Sequence, residues 1–363
     1  MSRITRIEFR GINITSRTNW CFLEVHTEDG RVGVGECTLA QQESLLAAEI
    51  ERLAAGVIGQ DSRLRNRLSR LLAHAPGGLV AATVMSAFDQ ALMDLAARRA
   101  EQPLHLFLGG ALRDPIALYA NINRGTNPRT AAGFAEAAGR AVSAGFQAVK
   151  LAPFEPLVWE DGFCLKNRAA YAEGLARVAA VREAVGPDVA VLVDAHWRFS
   201  PGAAAGLIRD LAPFGLFWVE CPIAEANRPE IRRLRGLAND RGMRLAGAES
   251  LYGLAAYRAL VEEGCYDVVM PDVKHAGGLD EIRRISALAQ TAGVEIAPHN
   301  PTGPICHAHS VHLCAVIPNF LFLEVQFGES EAFFDIVDGE SLRFKGGFAG
   351  LPQAHGLGVA LGS

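Results

Sequence analysis

The sequence predicts an α/β protein in which an N-terminal α+β unit precedes a β/α barrel, and three observations carry that prediction. From residue 115 onward the hydrophobic pattern alternates strand, helix, strand, with eight short apolar runs. Six polar residues stand at the ends of the last six runs: Asp194, Glu220, Glu249, Asp272, His299 and Glu324, at intervals of 26, 29, 23, 27 and 25 residues. A step of about 25 residues suits one strand, one helix and two loops, and eight strands suffice to close a parallel barrel. Residues before about 110 follow a different rhythm, of alternating strands and then helices.

Taken in order, residues 3–37 read as a β-meander: ITRIEFRGINI, NWCFLEVHT, the turn Glu28-Asp29-Gly30, and RVGVGEC. The pattern is helical from Leu45 to about Leu72. It is helical again from Ala82 to Ala100, where Val84, Ala87, Phe88, Ala91, Leu92 and Leu95 recur at helical spacing. Pro103 and Gly109-Gly110 end this unit. The strand candidates that follow are 116–120, 148–152, 189–193, 216–219, 244–248, 267–270, 294–297 and 320–323. Ala-rich helices such as Asn167 to Ala184 and Gly278 to Ala292 lie between them. The expected division is an α+β unit over 1–114, a barrel over 115–325, and a Gly-rich segment over 326–363 that returns to the first unit.

Half the residues are hydrophobic and 21% are charged, enough to bury a large core. The net charge of −5 and the scattered basic residues argue against nucleic acid or an anionic membrane as partner. No uninterrupted apolar run reaches the length of a membrane span, and MSRITRIEFRG lacks a signal-like apolar core. The cysteines, Cys21, Cys37, Cys164, Cys221, Cys265, Cys306 and Cys314, are odd in number and include no C-x-x-C. They point to a reducing, cytoplasmic setting rather than to disulfides or a zinc knuckle.

In a parallel barrel all strand C-termini share one face, so the polar ladder converges there. Asp194, Glu220 and Glu249 on consecutive strands offer three hard oxygen ligands, which suits Mg²⁺. Clustered carboxylates without a cation repel one another, so three separate rim acids are the poorer reading. Asp272 and His299 stand on adjacent strands, where an Asp bonded to one imidazole nitrogen makes the other a base. His196 lies two residues past Asp194, on the same side if strand geometry persists. It reads as a metal ligand, a substrate hydrogen-bonder or a general acid. Lys150, ending the second barrel strand, points at the same centre, where it faces a substrate anion, acts as a base if its pKa is lowered, or is paired internally. His307, His309 and His312 read as part of a helix rather than a metal cluster, and Cys221 as a packing thiol.

This set of residues resembles the enolase superfamily in its mandelate racemase subgroup, over nearly the whole chain. The likeness rests on GFQAVKLA with Lys150, VDAHW with Asp194, WVECP with Glu220, AGAES with Glu249, MPDVKHAGG with Asp272 and APHNPTGP with His299. Within the subgroup the chain is most similar to acid-sugar dehydratases such as those acting on galactonate. The resemblance implies a modified (β/α)7β TIM barrel with an N-terminal capping domain, usually in a homo-oligomer. It implies Mg²⁺ on Asp194, Glu220 and Glu249, and a base formed by His299 with Asp272. It further implies that His196 protonates the departing hydroxyl and that Glu324 hydrogen-bonds the substrate carboxylate.

Three positions depart from the family pattern. Ala152 stands where racemases carry a second Lys, which argues against two-base racemisation; Cys221 replaces an acid and Ala248 a glycine. The expectation is dehydration of an aldonate or aldarate to a 2-keto-3-deoxy acid. An epimerase or lactone cycloisomerase on the same chemistry, or a noncatalytic acid-sugar-binding barrel, are the alternatives. Specificity belongs to loops near Thr15–Trp20 and Thr38–Glu43, with Arg17, Trp20, Asn123 and Arg124 as candidate substrate contacts.

Overall fold

The alternating N-terminal runs form an antiparallel sheet of β1 (Ile4–Thr15), β2 (Thr18–Thr27) and β3 (Val32–Glu36), in that order. The computed structural model describes residues 2–72, 77–157 and 165–362, so Cys164 lies outside it. The single helical stretch expected from Leu45 to Leu72 is two helices, α1 (Glu43–Val57) and α2 (Arg65–Leu72). Gly59, with a φ of +82°, separates them. α3 (Leu79–Arg99) crosses the sheet. A Cβ at Gly33 would lie 2.1 Å from the Ala91 carbonyl oxygen, and one at Gly35 2.2 Å from that of Ala87. The glycines of VGVGE are therefore what lets strand and helix meet.

α3 has 21 residues and an 18-residue window of mean hydropathy 1.3, enough by length and composition to cross a membrane, although Asp89 and Asp94 interrupt it. In this fold 78% of that window is buried. One face packs Val84, Ala87, Phe88, Ala91, Leu92 and Leu95 on the sheet. The opposite face buries Thr83, Ser86, Gln90 and Asp94. α4 (Leu104–Phe107) leads into the barrel.

The barrel strands are β4 (Ile116–Asn121), β5 (Ala148–Leu151), β6 (Ala190–Asp194), β7 (Trp218–Glu220), β8 (Arg244–Gly247), β9 (Val268–Val269), β10 (Glu295–Ile296) and β11 (Leu323–Gln326). Between them run α5 (Ala131–Ser143), α6 (Leu165–Val185), α7 (Pro201–Leu211), α8 (Arg228–Asn239), α9 (Leu254–Glu262), α10 (Leu279–Thr291) and α11 (Pro304–Val316). All neighbouring strands are parallel, in the order β10-β9-β8-β7-β6-β5-β4-β11. A bridge between Ile296 and Phe320, with Leu321 N–H donating to the Ile296 carbonyl at 2.8 Å, closes the ring. The last strand begins at Leu323 rather than at Phe320, because residues 319–321 are used in that closure. Glu324 therefore sits inside β11 instead of after it.

The interior follows a period of two. Ala148, Leu192, Trp218, Met270 and Ala297 belong to an apolar cluster that fills the barrel. Two residues further along each segment stand Lys150, Asp194, Glu220, Asp272 and His299. Glu249 breaks the period, being three residues past the interior Ala246. Ala248 between them takes a left-handed φ of +75°, which turns the chain so that Glu249 joins the ring.

A left-handed alanine costs about 1–2 kcal/mol, and glycine gives back part of that through its greater freedom when unfolded. Ala248→Gly should therefore raise the unfolding free energy by about 0.5–1 kcal/mol in urea titrations. An unchanged or lower midpoint would contradict strain at this position.

The C-terminal segment contributes α12 (Ala332–Asp335), β12 (Val337–Gly339), β13 (Phe348–Ala349) and β14 (Val359–Leu361). Its contacts go to both units rather than to the first alone. β13 pairs antiparallel with β4, while Leu357 N–H and the Val359 carbonyl bond to Asp94 and Arg98 of α3.

Candidate active site

Asp194 and Glu220 end adjacent strands in direct register, and Glu249 follows the next strand. All three are buried, and one carboxylate oxygen from each lies within 4.8 Å of the others. Glu220 is fixed from below and beside: Trp218 Nε1–H donates to it at 2.9 Å and Lys150 Nζ at 2.8 Å. Burial pushes the Glu220 carboxyl up to about 8, and the charges of Asp194, Glu249 and Glu324 act in the same direction against Lys150. One oxygen of Glu249, Oε2, is buried with no hydrogen-bond partner. Four carboxylates thus crowd around one lysine, and one of them has a bare oxygen. This donor set fits a hard divalent cation.

Lys150 adopts the internally paired reading. Its ammonium sits 2.8 Å from Glu220 and 3.0 Å from Glu324, above the Tyr119 ring, with a side chain 1% exposed. Burial alone would lower its pKa, but Glu220 and Glu324 raise it well above the usual range. Held this way, it places a positive charge among the carboxylates.

His196 reaches the site by a route the alternation argument did not anticipate. The strand stops at Asp194, and His196 and Trp197 take left-handed φ values of +47° and +56°. The turn brings the His196 ring back over Asp194, with Nε2 2.8 Å from Oδ2, while its backbone N–H donates to Oδ1. Asp194 raises the imidazole pKa to about 9 against the effect of burial. The ring keeps a third of its side-chain surface exposed, so it faces the open mouth.

His299 Nδ1–H donates to Asp272 Oδ2 at 2.8 Å, which leaves Nε2 directed inward, 3.6 Å from the bare Glu249 oxygen. Burial disfavours the imidazolium, but Glu249 and Asp272 together raise its pKa. β6 and β10 are four steps apart in the eight-strand order, so His196 and His299 stand on opposite sides of the mouth.

The sequence reading did not assign Lys274, although it lies within MPDVKHAGG. It is 2% exposed and donates to the same Asp272 oxygen as His299, at 2.8 Å. Its spacing of two from Asp272 was the available signal. The sequence also gave no sign that α3 holds this loop. Thr83 hydrogen-bonds His275, Ser86 accepts from Gly277 N–H, Asp89 accepts from Leu279 N–H, and Gln90 donates to the Val273 carbonyl. Glu36 of β3 similarly receives Thr302 Oγ1–H, Gly303 N–H and Cys306 N–H at the start of α11, three to seven residues past His299. The N-terminal unit thus grips both loops of the His–Asp pair.

Other expectations need correction. Glu324 accepts from Asn121 Nδ2–H, Asn300 N–H and Lys150. Although burial opposes it, Lys150 and His299 hold Glu324 well below the usual carboxylate range. In this arrangement it anchors Lys150 and the Asn300 loop. Trp20 is 1% exposed, packed edge-on against Phe333 and behind Gly303, inside the seam rather than at a substrate cavity. Arg17, Asn123 and Arg124 do line one cavity, of about 390 Å³. His307, His309 and His312 are buried on α11 with separate partners, Asn300, the Val34 carbonyl and the Leu357 carbonyl. Cys221 is buried, and burial raises its thiol well above the usual range, in keeping with a packing role.

Comparison with known proteins matches residues 133–362 to the enolase C-terminal domain-like family. Residues 10–109 match the N-terminal domain of mandelate racemase and muconate lactonizing enzyme. The chain belongs to the enolase superfamily. Its curated relatives in that superfamily include a D-gluconate dehydratase from Thermoproteus tenax, 32% identical over 93% of this chain and 67% of the other. A D-galactonate dehydratase from Klebsiella pneumoniae is 29% identical over 94% and 88%. Among solved structures of the superfamily, an enolase from Agrobacterium radiobacter with bound sodium and L-malate superposes with a TM-score of 0.84. It is 28% identical, with 99% of this chain and 93% of that one covered. The modified barrel and its capping domain are the fold of this superfamily.

Proposed function

We propose that the protein is a Mg²⁺-dependent dehydratase of an acid sugar, converting an aldonate or aldarate to its 2-keto-3-deoxy acid. The observation that carries this reading is the His299–Asp272 pair with Nε2 aimed at the carboxylate triad, opposite His196. Asp194, Glu220 and Glu249 would hold the cation. When bound, it supplies electrostatic stabilisation of the negative charge that α-proton removal places on a substrate carboxylate.

Asp272 fixes the Nδ1–H tautomer of His299, so Nε2 carries the lone pair that takes the α-proton. Lys274 keeps Asp272 ionised for that task; burial opposes this, and Lys274, His275 and His299 hold the carboxyl far below its usual range. His196, kept as imidazolium by Asp194, gives its proton to the β-hydroxyl, which leaves as water. The resulting enol tautomerises to the 2-keto acid. With Lys150 committed to Glu220 and Glu324 and Ala152 beyond it, β5 brings no second base, which disfavours epimerisation. Dehydratase names among relatives at about 30% identity support the same reading.

The test is a panel of mono- and dicarboxylic sugar acids with Mg²⁺, followed by mass and by 2-keto-3-deoxy acid formation. Loss of water from at least one substrate is expected; turnover without loss of mass would favour an isomerase. The cation is checked separately from activity. Mg²⁺ at a hundred times its dissociation constant should add about 2.7 kcal/mol to the unfolding free energy. Glu249→Gln should remove most of that gain, and an equal gain in the variant would place the cation elsewhere.

A further inference from the structure

We propose that Glu225 is a positioning residue for the cation site: its carboxylate holds the backbone turn that carries Glu249. The proposal rests on the reading of Asp194, Glu220 and Glu249 as the cation ligands. Glu225 is assigned no contact with cation or substrate and acts only through the turn.

That turn is one that must be held. Among the described residues six other than glycine have a left-handed φ, and four of these, His196, Trp197, Cys221 and Ala248, stand in the loops that leave β6, β7 and β8. Those three strands are neighbours in the barrel, and they lead to Asp194, Glu220 and Glu249. Left-handed backbone is costly for a residue with a side chain, so it persists where surrounding bonds impose it. Ala248 is tied on both sides. Its N–H donates to Glu225 Oε1 at 2.9 Å, and its carbonyl accepts Tyr257 Oη–H at 2.7 Å. Tyr257 is buried on α9, so one end of the clamp belongs to the packed core. Glu225 supplies the other end from the loop between β7 and α8. Glu249 is the next residue, and the direction of its side chain follows from the backbone angles at Ala248.

The same carboxylate meets the turn that carries His196. Trp197 Nε1 is buried without a hydrogen bond of ordinary geometry, and it faces Glu225 closely enough to lower the pKa of that carboxyl. Trp197 N–H donates to the Cys221 carbonyl at 2.7 Å, and Cys221 N–H to that of Ala246 at 3.0 Å. A chain of bonds thus joins the three loops beside Glu225. Burial pushes the Glu225 carboxyl up and Glu249 adds to that, against the pull of the Ala248 N–H. Keeping another carboxylate this close to the ligand cluster is unfavourable in itself. The charge-assisted bond to Ala248 is the interaction that offsets it.

The experiment measures Mg²⁺ affinity by calorimetry, without substrate, for the wild type, Glu225→Ala and Glu225→Gln, each with and without Ala248→Gly. Glu225→Ala should raise the Kd by about 10–100-fold, the usual range for a group that orients a metal ligand. Glu225→Gln keeps an acceptor for the Ala248 N–H and should recover most of that affinity. Glycine adopts the left-handed turn unaided, so with Ala248→Gly the loss caused by Glu225→Ala should shrink by about tenfold. Three results overturn the proposal: an unchanged Kd in Glu225→Ala, an equal loss in Glu225→Gln, which would mean that only the charge acts, or an equal loss in both backgrounds. Hydrogen exchange without Mg²⁺ separates this proposal from the cation reading. If the wild type binds no Mg²⁺, that reading fails. The hold on the turn then stands only if Glu225→Ala speeds exchange of the Ala248 amide by about tenfold or more while β6 and β8 stay protected. Exchange at the wild-type rate, or faster exchange throughout the barrel, overturns the hold as well.

Discussion

His299→Asn is expected to end exchange of the substrate α-proton with D₂O and to slow dehydration by about 10²–10⁴-fold, the usual share of a positioned base. Asparagine keeps a side-chain donor within reach of Asp272 but carries no basic nitrogen at the position of Nε2. The bond at 2.8 Å to Asp272 Oδ2 and the contact at 3.6 Å to Glu249 define that position. Because Asp272 also holds Lys274, removing the imidazole leaves the carboxylate paired, and the loop keeps its contacts to α3. The variant should therefore fold and bind Mg²⁺ as the wild type does. Exchange measured by mass or proton NMR is the readout. Exchange at the wild-type rate would remove His299 from the proposed role.

How much of this site could be read in advance depends on how local its geometry is. The ladder from Asp194 to Glu324 was legible because strand alternation and a repeating β/α unit are written in the spacing of apolar residues. It located the residues that the fold brings together at the triad and at the His–Asp pair. It gave the place but not the route where the backbone leaves the strand. Glu249 reaches the ring through the left-handed Ala248, and His196 through two left-handed residues, neither of which alternation describes. The family's usual glycine at position 248 was the one hint, and its physical reason is that φ of +75°. Contacts between units were invisible for a different reason. Glu36, Thr83, Ser86, Asp89 and Gln90 act on loops between 183 and 270 residues away, through bonds that no local pattern encodes. Glu324 was located, but its bonds to Lys150, Asn121 and Asn300 come from three other segments and no local pattern encodes them.

The sharper test of mechanism is His196→Asn, which should uncouple the two halves of the reaction. If His299 takes the α-proton and His196 serves only the leaving hydroxyl, the variant keeps exchanging that proton with D₂O. Its dehydration should fall by about 10²–10⁴-fold. Asparagine is the suitable replacement because residue 196 sits at a φ of +47°, a region that Asn tolerates better than most residues. Its amide can also still donate to Asp194, so that carboxylate is not left unpaired. The comparison discriminates between the roles left open for this histidine. Loss of exchange and dehydration together, with weakened Mg²⁺ binding, would mean that His196 acts by holding Asp194 for the cation. Equal loss with Mg²⁺ binding intact would assign it to substrate binding. Exchange without elimination is the result that only a proton donor on the far side of the mouth produces. β6 and β10 are separated by half the barrel, so neither histidine can stand in for the other.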